Sequence, residues 1–173
     1  MKIREAKLDD AAGIAKVHVD CWRTSYQNIM PNDYLEILSY EQRTELWIKN
    51  ISREGNNVFV AEDDEGQIVG FTDGGIRENN NVENSGNLTT IYILETYQGI
   101  GIGKKLLQKL FAACEKLQFS TIFVEVLENN KSKNFYEAVG AELLQSDKVR
   151  IAGTDINLLV YQWRDFSRIL SSN

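Results

Sequence analysis

Histidine, cysteine and proline are nearly missing from this chain of 173 residues, which holds one His, two Cys and one Pro. Cys21 and Cys114 stand far apart, with no CxxC spacing and no Cys/His cluster, which argues against a disulfide framework and a zinc site. No metal is expected, and each cysteine reads as a small buried apolar residue. Nothing in the spacing sets an acid or nucleophile beside the sole histidine, His18, so it is expected to be a partly buried structural residue. No apolar run is long enough to span a bilayer, and the N-terminus MKIREAKLDD carries charges where a signal peptide has its apolar core. A cytoplasmic protein without membrane association is the expectation. Positive charge is also in deficit, with 19 Lys and Arg against 25 Asp and Glu. A net charge of −6 argues against a general nucleic-acid binder and is compatible with a cationic amine as substrate. Repeats and low-complexity blocks are absent, and a 43% hydrophobic chain of this length can fill one core, so 1–173 is read as a single domain.

What the sequence does carry is centred on Leu88 to Gln108, LTTIYILETYQGIGIGKKLLQ. The β-branched run from Leu88 to Leu94 predicts a buried strand, Gln98 to Gly103 a glycine-rich turn, and about Gly101 to Leu117 a helix. Strand, glycine turn and helix N-terminus form an anion-binding arrangement: glycines let a ligand approach the backbone, and the helix offers unpaired N–H groups. Spacing narrows the choice of anion. A P-loop needs glycine at Gln98 and Ser or Thr at Lys105, and a dinucleotide fingerprint needs its third glycine at Lys104 or Leu106. Both patterns fail, which disfavours an ATP or GTP site. On the following helix Leu106, Leu107, Leu110, Phe111 and Cys114 lie at packing spacing.

Before this stretch the pattern predicts a strand over Lys2 to Lys7 and a helix from about Asp9 to Trp22. Two short helices follow, introduced by Pro31 and Ser39, and then a hairpin of Asn57 to Asp63 with Gln67 to Arg77. Gly74-Gly75 suggests a bulge. Arg77 to Asn87 reads as a surface loop. Thr121 to Leu127 is a further strand, Asn129 to Val139 contains a helix ended by Gly140, and two last strands meet across Ala152-Gly153-Thr154. The class is α/β of the α+β type: a mixed, mostly antiparallel sheet of about seven strands with helices on both faces.

The remaining pattern, Gln98-x-x-Gly101-x-Gly103, resembles the acetyl-CoA motif of the GNAT superfamily of N-acetyltransferases. A second segment, VLENNKSKNFYEAVG, resembles that family's asparagine and Phe-Tyr motif through Phe135, Tyr136 and Gly140, with Ser132 at a small position and Asn129 or Asn130 as the asparagine. A stretch matching W-R-x-x-Y-x-x-I-x-P-x-x-Y-L (Trp22, Arg23, Tyr26, Ile29, Pro31, Tyr34, Leu35) is similar to the acceptor region of some members. Its aromatics fit pocket lining and core filling equally.

The resemblance implies direct transfer of acetyl from acetyl-CoA to a primary amine of a small molecule or peptide. Backbone groups of Ile91, Tyr92 and Ile93 would hold the pantetheine arm, which should pair as an extra strand where the sheet diverges after Ile93. The turn from Gln98 through Gly99, Ile100, Gly101, Ile102 and Gly103 to Lys104 would hold the pyrophosphate, with Asn129, Asn130, Ser132, Phe135 and Tyr136 opposite. Ile93 N–H is the expected oxyanion donor and Tyr136 the proton donor to the thiolate. Related sequences often carry a glutamate just before the core strand. Here that position is Asn87, leaving Glu125, or Glu83 in the loop, as candidate base. Trp22, Tyr26 and Asn87 are the expected acceptor contacts. Alternatives are a protein N-terminal or lysine acetyltransferase and a non-catalytic CoA-binding module. Apolar residues in the last strand (Ile156, Leu158, Leu159, Val160) leave a homodimer and internal packing equally open.

Overall fold

The computed structural model describes residues 1–76, 81–151 and 153–171. Seven strands form one sheet: β1 (Lys2–Glu5), β2 (Asn56–Glu62), β3 (Ile68–Ile76), β4 (Ser85–Ile93), β5 (Thr121–Leu127), β6 (Glu142–Ile151) and β7 (Thr154–Trp163). Their spatial order is β1-β2-β3-β4-β5-β7-β6, and only the β4–β5 pair is parallel. Among the described residues the α-helices are α1 (Ala11–Ser25), α2 (Asn32–Glu36), α3 (Tyr40–Ser52), α4 (Ile102–Lys116), α5 (Ser132–Ala138) and α6 (Ser167–Ser171).

The sheet is covered on both faces, as the pattern predicted. On one face Ile14 and Val17 of α1 and Trp47 of α3 bury against Val58, Val60 and Phe71. On the other, Leu107, Leu110 and Phe111 of α4 pack on Leu88, Ile122 and Trp163. Five predicted apolar positions of α4 (Leu106, Leu107, Leu110, Phe111 and Cys114) are fully enclosed. Both cysteines are buried, and His18 is inside as well.

Several boundaries move. Leu8–Asp10 is a 3₁₀ turn rather than the helix start, because Asp10 accepts from the Lys7 N–H and from Arg4. α1 then continues one turn past Trp22, to Ser25. Ser39 caps α3 by accepting from the Gln42 N–H, and α3 is long, at 13 residues. α6 is an added helix; it seats Ile169 against the α4 face. β4 begins three residues before Leu88, so Asn87 belongs to the strand, paired with Gly75 and with Phe123. The hairpin end at Arg77, the adjoining part of the expected loop and Ala152 lie outside the described residues. Within β7, Ile156, Leu159 and Val160 are buried by this chain itself.

Candidate functional site

The site begins with a defect in the sheet. β3 pairs Asp73 with Thr90 but Gly74 with Leu88, so Thr89 is an extra residue bulging from β4. Its effect falls on the other edge of the strand: β4 and β5 pair from Ser85/Thr121 to Leu88/Val124 and no further. The family resemblance implied a divergence after Ile93. It starts five residues earlier because the bulge bends the strand at Thr89. β5 meanwhile stays paired with β7 as far as Leu127. A wedge opens between two strands of one sheet and forms a cleft of about 920 Å³.

Alternation in the antiparallel ladder decides which backbone groups face this wedge. Leu94 N–H donates to the Val69 carbonyl at 2.9 Å, and Ile93 sits opposite Gly70. The N–H and C=O of Ile93, and likewise those of Ile91, therefore turn away from β3 and toward the gap. Tyr92 has the opposite phase. Its peptide is used by β3 and its ring lies on the α1 face, stacked on His18 at 5.4 Å. Ile91 and Ile93 line the cleft. The Cys21 sulfur, reaching from α1, lies against the Ile93 backbone N–H.

One end of the cleft is closed by the glycine turn. Gly99 (φ 76°) and Gly101 (φ 85°) are left-handed, a conformation that disfavours other residues, and a Cβ on either would meet nothing within 4 Å. Open space in front of a bare backbone is a cradle. Gly101 is the N-cap of α4 and, being glycine, offers no side chain to cap it, so the positive end of the helix lies at the cradle. Ile102, Gly103 and Lys104 line the same end, whereas the Ile100 side chain points outward, 65% exposed. Gln98 lines it too, and its Nε2 donates to the Ile93 carbonyl at 2.9 Å, tying turn to strand. At Gly103 a Cβ would come within 3.0 Å of the Phe135 ring, so glycine there lets α4 and α5 approach closely. These residues fit a diphosphate at the helix terminus and an amide-bearing arm along Ile91 and Ile93.

The second motif forms the opposite wall. Asn130 is buried, and its Oδ1 accepts from the Ser132 N–H at 2.9 Å, setting the start of α5. Asn129 is exposed at the rim, and both asparagines line the cleft with Lys131, Ser132 and Phe135. Tyr136 is buried behind them, its ring edge-on to Trp163 at 6.0 Å. Burial pushes its phenol well above the usual range, with a further contribution from Tyr26. Tyr92, whose phenol is likewise pushed up by burial, interacts with both Tyr26 and Tyr136.

On the expected acceptor side, Trp22 and Tyr26 pack ring to ring at 4.3 Å, and Trp22 Nε1 donates to the Tyr92 hydroxyl at 2.9 Å. Tyr26 belongs to an apolar cluster with Leu127 of β5 and Ile156 of β7. Of the tryptophan-to-leucine stretch only Ile29 lines the main cleft, together with its neighbours Thr24, Ser25, Gln27 and Asn28. Spacing did not reveal those four polar residues. The one local sign is Asn28, an asparagine suited to the left-handed turn it takes (φ 69°). Asn87 is half-buried, its Nδ2 3.5 Å from Thr89 Oγ1. Glu125 is exposed on β5, one residue beyond the last β4–β5 pair. Glu83 is exposed, two residues before β4.

A family model described as the acetyltransferase (GNAT) family matches residues 16–141. The chain is 40% identical over 167 residues to the uncharacterized N-acetyltransferase YuaI of Bacillus subtilis, covering 96% of this chain and 95% of that protein. Among solved structures it resembles the ribosomal-protein-alanine N-acetyltransferase of Brucella melitensis, with a TM-score of 0.75 and 25% identity, covering 94% of this chain and 99% of the other. The PaiA N-acetyltransferase of Thermoplasma acidophilum, solved in complex with coenzyme A, shares the fold at a TM-score of 0.71 and 21% identity, covering 91% and 96% of the two chains. A wedge between parallel strands, an uncapped helix behind a glycine turn and a family model spanning both motifs lead to one conclusion: this chain belongs to the GNAT family of acetyltransferases.

Proposed function

We propose that this protein transfers the acetyl group of acetyl-CoA directly to a primary amine of a small molecule or peptide. The observation that carries the reading is the wedge after Leu88, which points the Ile91 and Ile93 backbone groups into a cleft ending at the uncapped N-terminus of α4. Acetyl-CoA supplies an activated acyl thioester and a thiolate leaving group.

Each task falls to a residue of this chain. The α4 N–H groups and Lys104 bind the diphosphate, while Ile91 and Ile93 hold the arm in extended register. Ile93 N–H polarises the acyl carbonyl as negative charge develops on its oxygen. Holding the amine against that carbonyl removes much of the entropic barrier. Tyr136 stays protonated because its phenol is raised by burial, and it delivers its proton to the leaving sulfur. Asn87 is an amide and accepts no proton from the incoming ammonium, so Glu125, beside the point where the strands part, takes that role through water. Trp22 and Tyr26 border the acceptor.

The structural similarity to a ribosomal-protein-alanine N-acetyltransferase favours a peptide N-terminus over other amines. Calorimetry with acetyl-CoA on the wild type and on Gly101→Trp, followed by thiol release with a panel of small amines and alanyl peptides, tests the reading. Wild-type binding, loss in the variant and amine-dependent thiol release are expected. Binding without release on any amine would instead identify a CoA-binding module without turnover.

A further inference from the structure

The interior of the sheet holds a carboxylate that apolar packing does not require. Asp73 lies on β3 with 2% of its surface exposed, at the position where the β3–β4 ladder slips. Its Oδ1 accepts from the Thr90 hydroxyl, and its Oδ2 lies 3.4 Å from Asn56 Nδ2, which also donates to the Asn50 carbonyl in α3 at 3.0 Å. Thr72, the preceding β3 residue, donates its hydroxyl to the Thr90 carbonyl at 2.9 Å. Two consecutive residues of β3 thus grip both the hydroxyl and the carbonyl of Thr90. Thr90 is the first residue after the bulge and three residues before Ile93.

A buried carboxylate is costly to desolvate, and burial raises this one to about 6 against the pull of its hydrogen bonds. A bulge is also a point where a ladder can slip or flatten. The β3–β4 ladder resumes at Thr90, and a side-chain anchor at that first residue adds to the backbone hydrogen bonds that hold the angle of the strand to β5.

We propose that Asp73 is a positioning residue of the acetyl-CoA site: through the Thr90 hydroxyl it pins the strand behind the bulge, and so fixes the width of the wedge and the direction of the Ile93 N–H. The inference rests on the acetyl-CoA reading above. Asp73 touches neither substrate. It acts through the strand.

The test measures acetyl-CoA affinity by calorimetry and thermal stability in the same preparations of wild type, Thr90→Val, Thr90→Ser and Asp73→Asn. Thr90→Val keeps the shape and removes the hydroxyl, and weakens acetyl-CoA binding about tenfold, which calorimetry reads as about 1.4 kcal/mol. Thr90→Ser restores it. Asp73→Asn weakens binding in the wild-type background and adds nothing to Thr90→Val. A purely structural Asp73 would lower the melting temperature and leave the affinity of the folded protein unchanged, and that outcome overturns the proposal. Failure of serine to rescue, or additivity of the two substitutions, overturns it as well. If wild type itself does not bind acetyl-CoA, the functional reading falls first and takes this inference with it.

Discussion

Trp47 Nε1 donates a hydrogen bond to His18 Nδ1 across 3.0 Å, joining α3 to α1 inside the core. A nitrogen that accepts this bond carries no proton, so the arrangement selects neutral imidazole. Burial lowers the His18 pKa from 6.5 to about 4, with a smaller push from Arg43.

The folded pKa lies below the unfolded one, so this histidine's contribution is intact above pH 6.5 and is lost as pH falls toward 4. The loss is about 3 kcal/mol, because each tenfold drop in proton affinity is worth roughly 1.4 kcal/mol. Because His18 is the only histidine, one imidazole resonance reports it. NMR titration of the folded protein should show no midpoint near 6.5, and the stability of His18→Gln should fall less steeply between those pH values. A midpoint near 6.5 would show an accessible ring instead.

Gly101 separates folding from ligand approach. Its φ of 85° makes Gly101→Ala strained by about 1–2 kcal/mol, yet the new methyl meets no protein atom within 4 Å. The variant should therefore fold with a modest loss of stability and bind acetyl-CoA much more weakly, because the methyl enters the cradle. Equal losses in melting temperature and affinity across a Gly101→Ala, Gly66→Ala pair, both left-handed with open space, would refute a special role for Gly101.

Tyr136→Phe removes one hydroxyl from a buried ring. Acetyl-CoA affinity should stay near wild type while kcat drops by about 10² or more, the usual scale for a general acid. The phenol is raised, so no loss of activity assignable to its ionisation should appear in the ordinary alkaline range. A wild-type kcat in Tyr136→Phe would transfer the proton to another donor.

Asn87→Glu tests the base. A carboxylate in that position should raise the rate on the acid side of the pH–rate profile, and Glu125→Gln should depress it in the wild-type background. An unchanged profile in both variants would leave deprotonation to the substrate or to water.

Cys21 and Cys114 are buried, and desolvation pushes each thiol up to about 12. Neither should react with a disulfide reagent at pH 8 until the protein unfolds, and both should react in denaturant. Thiol release from CoA can then be followed by such a reagent without a protein background. Fast labelling of the native protein would contradict the burial of Cys21 on α1 or of Cys114 on α4.

The outline of the fold was legible because it depends on periodicity. The apolar face of α4, the hairpin around Gly66, the Ser39 cap and the strand at Thr121 to Leu127 each follow from local pattern and neighbouring residues. The glycine turn was legible too, since left-handed backbone at Gly99 and Gly101 leaves a mark in residue type. Local pattern was weaker at the ends of elements. Asp10 became a partner of Arg4, 6 residues away, and β4 recruited Asn87 through cross-strand pairs that local propensity does not describe.

Sequence by itself determined the class of sheet, the glycine turn and the family, because these rest on residue types repeated at fixed spacing. Tertiary structure alone decided where the sheet opens, which of two adjacent asparagines accepts from the Ser132 N–H and which β4 peptides face the cleft. It also placed Asp73 behind Thr90. Those outcomes depend on register, and a one-residue slip at Thr89 changes what every later backbone group points toward while leaving no trace in the composition.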